Sequence, residues 1–251
     1  MTIDFPNKSQ ICDLRSVWKE AFYDTDAFLD IFFGTAFSEN RSLCAVENSE
    51  VIGMMYWFGC ECETYKVAYI YAVATKKSYQ GQGVCHSMMK KAHKLLKQQG
   101  YVGTILVPGE KSLFDFYSSM GYKTCSGIKK YHVNAEKTDI AVRRIGTDEY
   151  IKLRREYLPK NGVIQENENS NFLSLQFNMY KGGDFVMACS KDRDTLYCTE
   201  ILGNCDNLSG IVHSLGCKEG YFKTVGDTPF AMYRKLSENS IIPTYFGLAF
   251  D

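Results

Sequence analysis

The apolar positions of the chain change from helical to strand spacing near residue 40. Residues 9–38 carry apolar side chains at helical spacing with a polar break near residue 25, so this segment is predicted to be helical. Shorter apolar runs follow, separated by turn residues, and they predict three strands at 42–47, 51–62 and 67–75. A helical segment, a hairpin and a third strand are therefore expected in that order.

A second helical pattern starts at residue 83. One stripe of the segment 83–99 is apolar, most of its lysines lie on the remaining surface, and Gly100 is a residue type that commonly ends helices. The pattern then predicts a strand, a helix and a strand at 102–107, 112–120 and 127–133.

Near residue 135 the order of elements starts again. Thr147 is expected to cap a helix ending near residue 158, and a polar loop at 165–170 precedes a helix at 171–180. The other predicted elements are strands at 140–145, 185–190, 195–202, 221–224 and 230–235 and a helix at 208–215. Two domains are therefore predicted, 1–135 and 136–251, and the apolar tail of the second is expected to dock rather than extend into solvent.

Composition and charge narrow the function classes. The chain has 251 residues, 45% of them apolar, and its 29 basic residues balance 29 acidic ones, which gives no whole-chain reason to expect nucleic acid or an anionic membrane as partner. The N-terminus lacks the features of a signal peptide, and no apolar run is long enough to span a bilayer. A cytoplasmic protein is expected, and a homo-oligomer is compatible with the sequence.

The cysteines and histidines do not predict a metal site. Ten cysteines are scattered without a Cys-x-x-Cys pair, and the four histidines form no ligand pair. We therefore expect no metal, mostly buried reduced thiols, and histidines on the surface or on strands. Cys85 is a candidate nucleophile because it starts a helix, but small-residue packing is the preferred interpretation.

The segment QGQGVCHS, residues 80–87, is the strongest candidate for chemistry. Helix N-termini bind anions, and glycines before such a terminus let a phosphate approach the backbone. The segment lacks the Lys-Ser/Thr of a P-loop and the third glycine of a dinucleotide fingerprint. It resembles instead the Gln/Arg-x-x-Gly-x-Gly/Ala pyrophosphate loop of the GCN5-related N-acetyltransferases (GNAT), with Cys85 at the last marked position.

A second segment supports this resemblance. LFDFYSSMGYK, residues 113–123, is similar to the Phe-Tyr-x-x-x-Gly-Phe segment of the same family, and WKEAFYDTDAFLDIFF and VPGEKSLFDFY resemble its Eis-like branch. The resemblance implies a mixed, mostly antiparallel twisted sheet flanked by helices, an α/β (α+β) fold, for 1–135. It implies a smaller, degenerate GNAT-like domain of the same class for 136–251, which lacks the phosphate loop.

The resemblance also implies a cofactor site and a catalytic acid. Acetyl-CoA would be the co-substrate, and Tyr117 would act both at the cofactor and as the general acid. The other cofactor-binding residues implied are Val73, Ala74, Thr75, Gln80, Gly81, Gln82, Gly83, Val84, Cys85, His86, Ser112 and Leu113. In Eis-like proteins the C-terminal carboxylate is the base, which points to Asp251 here.

The acceptor is less well defined by the residues. Glu110, where many relatives have Asn, is a solvated loop residue, a ligand of the cofactor chain, or a contact for a cationic amine. Glu63 could draw a proton from an amine through water or be exposed in a hairpin, and Tyr69 could line a substrate cleft or pack in the core. The expected function is acetyl transfer to a primary amine of a small molecule or peptide. An inactive acyl-CoA sensor and a nucleotide-binding protein are the alternatives.

Overall fold

The computed structural model describes residues 1–250, which fold into two compact units. Unit 1 comprises Met1–Leu106, Ser112–Lys123 and Tyr233–Ile241. Unit 2 comprises Val107–Lys111, Thr124–Met232 and the chain from Ile242 onward. The predicted domain boundary at residue 135 stays a prediction.

The elements of unit 1 follow the predicted order closely. Its helices and strands are β1 (Thr2–Asp4), α1 (Ile11–Phe22), α2 (Asp26–Thr35), β2 (Ser42–Glu47), β3 (Glu50–Cys62), β4 (Tyr65–Thr75), α3 (Val84–Gln98), β5 (Gly103–Leu106) and α4 (Ser112–Ser119). The polar break near residue 25 is a helix start, because the Thr25 side chain accepts a hydrogen bond from the Phe28 amide at 3.2 Å.

The strands of unit 1 are ordered β1-β2-β3-β4-β5, all antiparallel except the last pair. Trp18 of α1 and Phe32 of α2 pack together with a ring-centroid distance of 4.6 Å, and both are buried. Burial of these aromatic rings fixes the two helices of unit 1 against its sheet. The three-residue β1 was not predicted.

Unit 2 has an equally mixed set of elements. They are β6 (Lys123–Asn134), β7 (Arg143–Ile145), α5 (Thr147–Tyr157), β8 (Val163–Ile164), α6 (Glu168–Gln176), β9 (Asn178–Lys181), β10 (Phe185–Asp192), β11 (Thr195–Gly203), α7 (Leu208–Ser214), β12 (Glu219–Val225) and β13 (Thr228–Lys235, which ends in unit 1). The strands are ordered β6-β12-β11-β10-β9-β7. A cluster of buried apolar residues on one face of this sheet, including Met187, Ile211 and Phe222, forms the core. The predicted fold class, a mixed and mostly antiparallel sheet flanked by helices, is confirmed.

Three sequence predictions for the second half are wrong. The helix predicted at 171–180 starts earlier, at Glu168, and residues 178–181 form β9, because pairing with β10 overrides local helical spacing. The strand predicted at 140–145 is formed only at Arg143–Ile145. Thr147 does not cap α5; the N-cap is Gly146.

The chain end is packed into unit 2. Tyr245, Phe246 and Phe250 are buried, and the Tyr245 hydroxyl donates to Glu200 Oε1 at 3.1 Å. Glu200 also accepts two hydrogen bonds, at 2.6 and 3.0 Å, from the buried Arg154. Because a buried charge is stable only when it is paired, this group ties α5, β11 and the chain end together.

Among residues 1–250, no helix is both long enough and apolar enough to cross a membrane.

Candidate active site

The loop between β4 and α3 contains two glycines in the left-handed region. Gly81 has φ +74° and Gly83 has φ +78°, a conformation that other residues adopt only with strain. A Cβ built at either position would meet no atom within 4 Å. The glycines therefore serve the loop conformation and leave the space above the loop open.

The start of α3 faces this open space without an internal cap. Gly83 is the N-cap residue, it has no side chain to accept a hydrogen bond, and the first turn contains no acidic residue. The first amides of a helix carry a partial positive charge, so an uncapped start attracts an anion. Gln80, Gly81, Gln82, Gly83 and His86 are exposed, whereas Val84 is buried.

Side chains connect this loop to the strand before it. Gln80 Nε2 donates to the Thr75 carbonyl at 3.3 Å, and Gln82 Nε2 donates to the Ser78 carbonyl at 3.0 Å. The Lys77 amide donates to the Glu20 carboxylate of α1 at 2.6 Å. These contacts hold the loop in one conformation before any ligand binds, which lowers the entropy cost of binding.

The end of β4 extends beyond its parallel partner. Val67–Tyr69 pair with Gly103–Ile105, but β4 continues to Thr75 while β5 ends at Leu106. Val73, Ala74 and Thr75 therefore lie where β4 has passed its paired segment of β5. An extended ligand chain can pair with backbone groups at such a position.

A β-bulge in β4 interrupts its pairing with β3. Tyr56 pairs with Tyr71 and Met54 with Ala74, so two residues of β4 oppose Met55 alone, and Ala72 has φ +51°. A bulge re-aims the backbone groups of its strand and often lies next to an active site. Alanine carries no sequence signal for this conformation, so the bulge could not be predicted.

Tyr117 lies on α4, and its side chain is buried. Burial, with a smaller contribution from nearby Cys85, raises the pKa of Tyr117 above its ordinary value of 10.0. The hydroxyl therefore stays protonated at neutral pH. Within residues 1–250 it has no hydrogen-bond partner, so it can donate its proton to a ligand.

A buried polar group next to Tyr117 was not predicted. The Tyr122 ring packs edge-to-face on Tyr117 at 5.8 Å, and its hydroxyl is 2.9 Å from His93 Nε2 and 2.7 Å from Thr104 Oγ1. Burial and the neighbouring Arg234 lower the pKa of His93 to about 4, so its imidazole is neutral. The expectation that all histidines lie on the surface or on strands is wrong for His93, because its partners Tyr122 and Thr104 come from other elements.

The candidate nucleophile Cys85 does not have an activated thiol. Burial raises the pKa of Cys85 to about 12, although the residue lies in the first turn of α3. Desolvation outweighs the helix N-terminus here. All ten cysteines are free and six of them are buried, as expected.

The other predicted residues are spread over the two units. In unit 1, Ser112 is exposed and Leu113 is half-buried at the start of α4, and Tyr69 is buried against Phe58 and Tyr71. Glu63 has φ +53° in the β3–β4 turn, at the opposite end of β4 from the glycine loop, on the order of 30 Å along the strand.

Two predicted residues lie outside unit 1 as described. Glu110 is exposed and belongs to unit 2, so a role for it at the glycine loop stays a prediction. Asp251, the predicted base, lies outside the described residues. No group of three or more potential metal ligands occurs within residues 1–250.

Comparison with known proteins decides between the phosphate-binding families. Residues 2–125 match the family model described as an acetyltransferase (GNAT) domain, and this range contains the glycine loop and Tyr117. Through this domain, the chain belongs to the GNAT acetyltransferases. No curated protein matches the chain.

Solved GNAT structures share the fold of nearly the whole chain. One from Anabaena variabilis has a TM-score of 0.73 at 10% identity, covering 94% of this chain and 73% of its own. One from Kribbella flavida has a TM-score of 0.71 at 15% identity, covering 93% and 70%. Eis1 from Mycobacterium abscessus has a TM-score of 0.69 at 11% identity, covering 94% and 73%. At these identities the similarity establishes the fold.

Acetyl-CoA, the co-substrate that the family implies, is compatible with the residues of unit 1. The open space above Gly81 and Gly83 and the uncapped start of α3 are suited to a pyrophosphate, and 73–75 provide backbone groups for an extended chain. The chain is therefore an acetyltransferase whose own residues fit its family's acyl donor.

Proposed function

We propose that this GNAT protein transfers an acetyl group from acetyl-CoA to a primary amine by direct attack. The observation that carries the proposal is the glycine loop, with two left-handed residues and open space above them. The amides of the segment 81–86 hold the pyrophosphate, 73–75 pair with the pantetheine chain, and Ser112 and Leu113 of α4 contact the same ligand. Bound acetyl-CoA supplies a thioester carbonyl that an amine can attack.

Tyr117 acts as the general acid in this proposal. The amine nitrogen forms a bond to the carbonyl carbon, the carbon–sulfur bond breaks, and the leaving thiolate takes the proton of the Tyr117 hydroxyl. One N–H proton of the amine replaces it, so the net products are an amide and a thiol. The raised pKa of Tyr117 supports this role because the hydroxyl keeps its proton over the pH range in which an amine is deprotonated.

The amine must reach the site in its neutral form. We expect kcat/KM to rise with pH until the amine is deprotonated, since a protonated amine has no lone pair for attack. Because the pKa of Tyr117 is raised, its deprotonation should not lower the rate below about pH 10. A loss of rate that titrates near pH 8 would require another group.

The test is acetyl-CoA turnover across amines of different classes. The panel contains an aminoglycoside, a polyamine, a peptide with a free N-terminus and a lysine peptide, and thiol release and the acetylated product are both measured. Thiol release above the amine-free rate supports an enzyme. CoA binding without turnover of any amine would favour the inactive acyl-CoA sensor, and binding of ATP or NAD that CoA does not displace would favour the nucleotide-binding alternative.

Unit 2 is proposed to be a GNAT-like unit that holds no CoA. Its corresponding parallel strands, β11 and β12, are bridged beyond their paired segment by the Thr224 hydroxyl, which donates to the Ile201 carbonyl at 2.7 Å. A single equivalent of CoA per chain in calorimetry is therefore expected, and two equivalents would rule this out. We further propose a cytoplasmic location, with acetyl-CoA and the amine as partners.

A further inference from the structure

Unit 2 contains a cleft of about 380 Å³ that is unrelated to the glycine loop of unit 1. It lies over strands β6, β10, β11 and β12, and all of its lining residues belong to unit 2. Pockets of this volume are typical of small-molecule sites. Two rows of side chains in the cleft indicate what kind of molecule would fit.

The first row is a stack of aromatic rings across three strands. Tyr197 and Tyr221 are directly paired and their rings stack at 5.6 Å with an interplanar angle of 9°. Tyr221 and His132 are also paired, and their rings stack at 4.4 Å with an angle of 8°. The next partner along this row is Ser190, opposite Tyr197 on β10. The stack therefore ends at Tyr197 beside a small residue, which leaves room for one more planar ring.

The second row is polar and lies two residues further along the strands. Lys130 and Lys223 are direct partners of β6 and β12, so their like charges face each other, an arrangement that is unfavourable without an anion. Neither ammonium has a carboxylate within 4.0 Å in the described part of the chain. Glu219, the nearby acid on β12, pairs instead with His132 at 2.7 Å.

Thr199 completes the polar row. Ala188 pairs with Glu200 and Cys189 with Cys198, so Thr199 is the extra residue of a β-bulge. Its side chain is 7% exposed, it lines the cleft, and its Oγ1 has no hydrogen-bond partner within residues 1–250. A buried hydroxyl without a partner is costly, and a ligand oxygen would relieve that cost.

We infer that this cleft binds a small planar aromatic anion. The ring stacks on the open face of Tyr197 above Ser190, and the acidic group lies at Lys130, Lys223 and Thr199. The two rows are about 7 Å apart, which is the length of two strand residues, so an acid attached directly to a one- or two-ring system spans them. The acid points away from Glu219, which fixes the orientation of the ligand.

The probe is 2-naphthoate, measured by calorimetry on the full-length protein in the presence of saturating CoA. Two matched compounds separate the contributions: 2-naphthol keeps the rings without a carboxylate, and cyclohexanecarboxylate keeps the acid without a planar ring. The expected result is saturable binding of one 2-naphthoate per chain, at least tenfold tighter than either control compound, because each lacks one row of contacts. Displacement of 2-naphthoate by CoA, or equal affinity for all three compounds, would overturn the inference.

Four substitutions locate the site. Lys130→Gln combined with Lys223→Gln should weaken 2-naphthoate at least tenfold and leave 2-naphthol unchanged, and Thr199→Val should act in the same direction with a smaller effect. Tyr197→Ala should weaken both ring compounds. Lys152→Gln, an exposed lysine on α5, is the matched control and should change nothing. Unchanged 2-naphthoate affinity in the double lysine variant and in Tyr197→Ala, with thermal unfolding as in the parent protein, would refute the site.

Discussion

The two parallel strand pairs of the described chain, β4–β5 and β11–β12, have the same direction but opposite hydrogen-bonding states beyond their paired segments. In unit 1, pairing stops at Tyr69 and Ile105, and the following loop leaves Gly81 and Gly83 under open space. In unit 2, pairing stops at Cys198 and Phe222, and Thr224 then bridges to Ile201. One pair leaves donors and acceptors for a ligand, and the other satisfies them internally.

The helices that follow these strands differ in the same sense. α3 has fifteen residues and no side-chain cap, whereas α7 has seven and is capped by Asn207, which accepts from the Gly210 amide at 3.2 Å. A Cβ on Gly203, the last residue of β11, would lie 2.2 Å from the Asp184 carbonyl oxygen, so that glycine serves chain packing. A glycine therefore indicates a ligand site only when the space beside it is open.

The largest expected effect breaks the catalytic side of this comparison. Tyr117→Phe should lower kcat by about 10²- to 10⁴-fold, because the leaving thiolate loses its proton donor, and leave CoA affinity nearly unchanged. Thiol-release kinetics and calorimetry with CoA measure the two quantities separately. Tyr65→Phe, an exposed tyrosine at the start of β4, is the control. Wild-type turnover in the Tyr117 variant would remove the general-acid assignment.

The next effect concerns the stability of unit 2. Glu200→Gln leaves the buried Arg154 without its charge partner and should lower the free energy of unfolding by about 3–5 kcal/mol. Urea unfolding followed by circular dichroism measures the change. Glu168→Gln, on the exposed start of α6, provides a control. A loss below about 1 kcal/mol would show that the pair is dispensable for folding.

His93 gives unit 1 a pH dependence. Its pKa is lowered to about 4 in the folded state from 6.5, so the unfolded state binds the extra proton between these values. Stability is therefore complete above pH 6.5 and should fall by up to about 3 kcal/mol as the pH drops towards 4. His93→Gln keeps hydrogen-bonding capacity towards Tyr122 without a titrating group, so its unfolding free energy should depend less on pH in that window. Identical pH profiles would exclude His93 as the cause.

The smallest effect sharpens the comparison of the two glycine environments. Gly83→Ala strains a residue at φ +78° and places a methyl group where the phosphate is proposed to lie, so CoA affinity should fall about tenfold. Gly34→Ala, in α2 with no atom near its Cβ and without a positive φ, should leave affinity unchanged. Calorimetry with CoA compares them. An equal response in both variants would mean that the loop glycines have no ligand-specific role.

The order of elements and the candidate loop were readable from the sequence, and residues 178–181 were not. The periods of 83–99 and 42–47 are long or clear enough to specify α3 and β2 locally, and Gln80, Gly81 and Gly83 carry their signal in residue type alone. Residues 178–181 also have an apolar pattern that fits a helix, but β10 supplies backbone partners that a local pattern does not contain.

What the sequence by itself determined is the GNAT character of the first half: glycine positions, a helix period and a tyrosine at the right distance are local properties. The tertiary structure decided the bulge at Ala72, the neutral His93 beside Tyr122, the buried thiol of Cys85 and the closed strand pair of unit 2. Each of these depends on desolvation or on a hydrogen-bond partner distant in sequence. Residue type sets what a group can do, and burial beside a particular neighbour sets whether it does so.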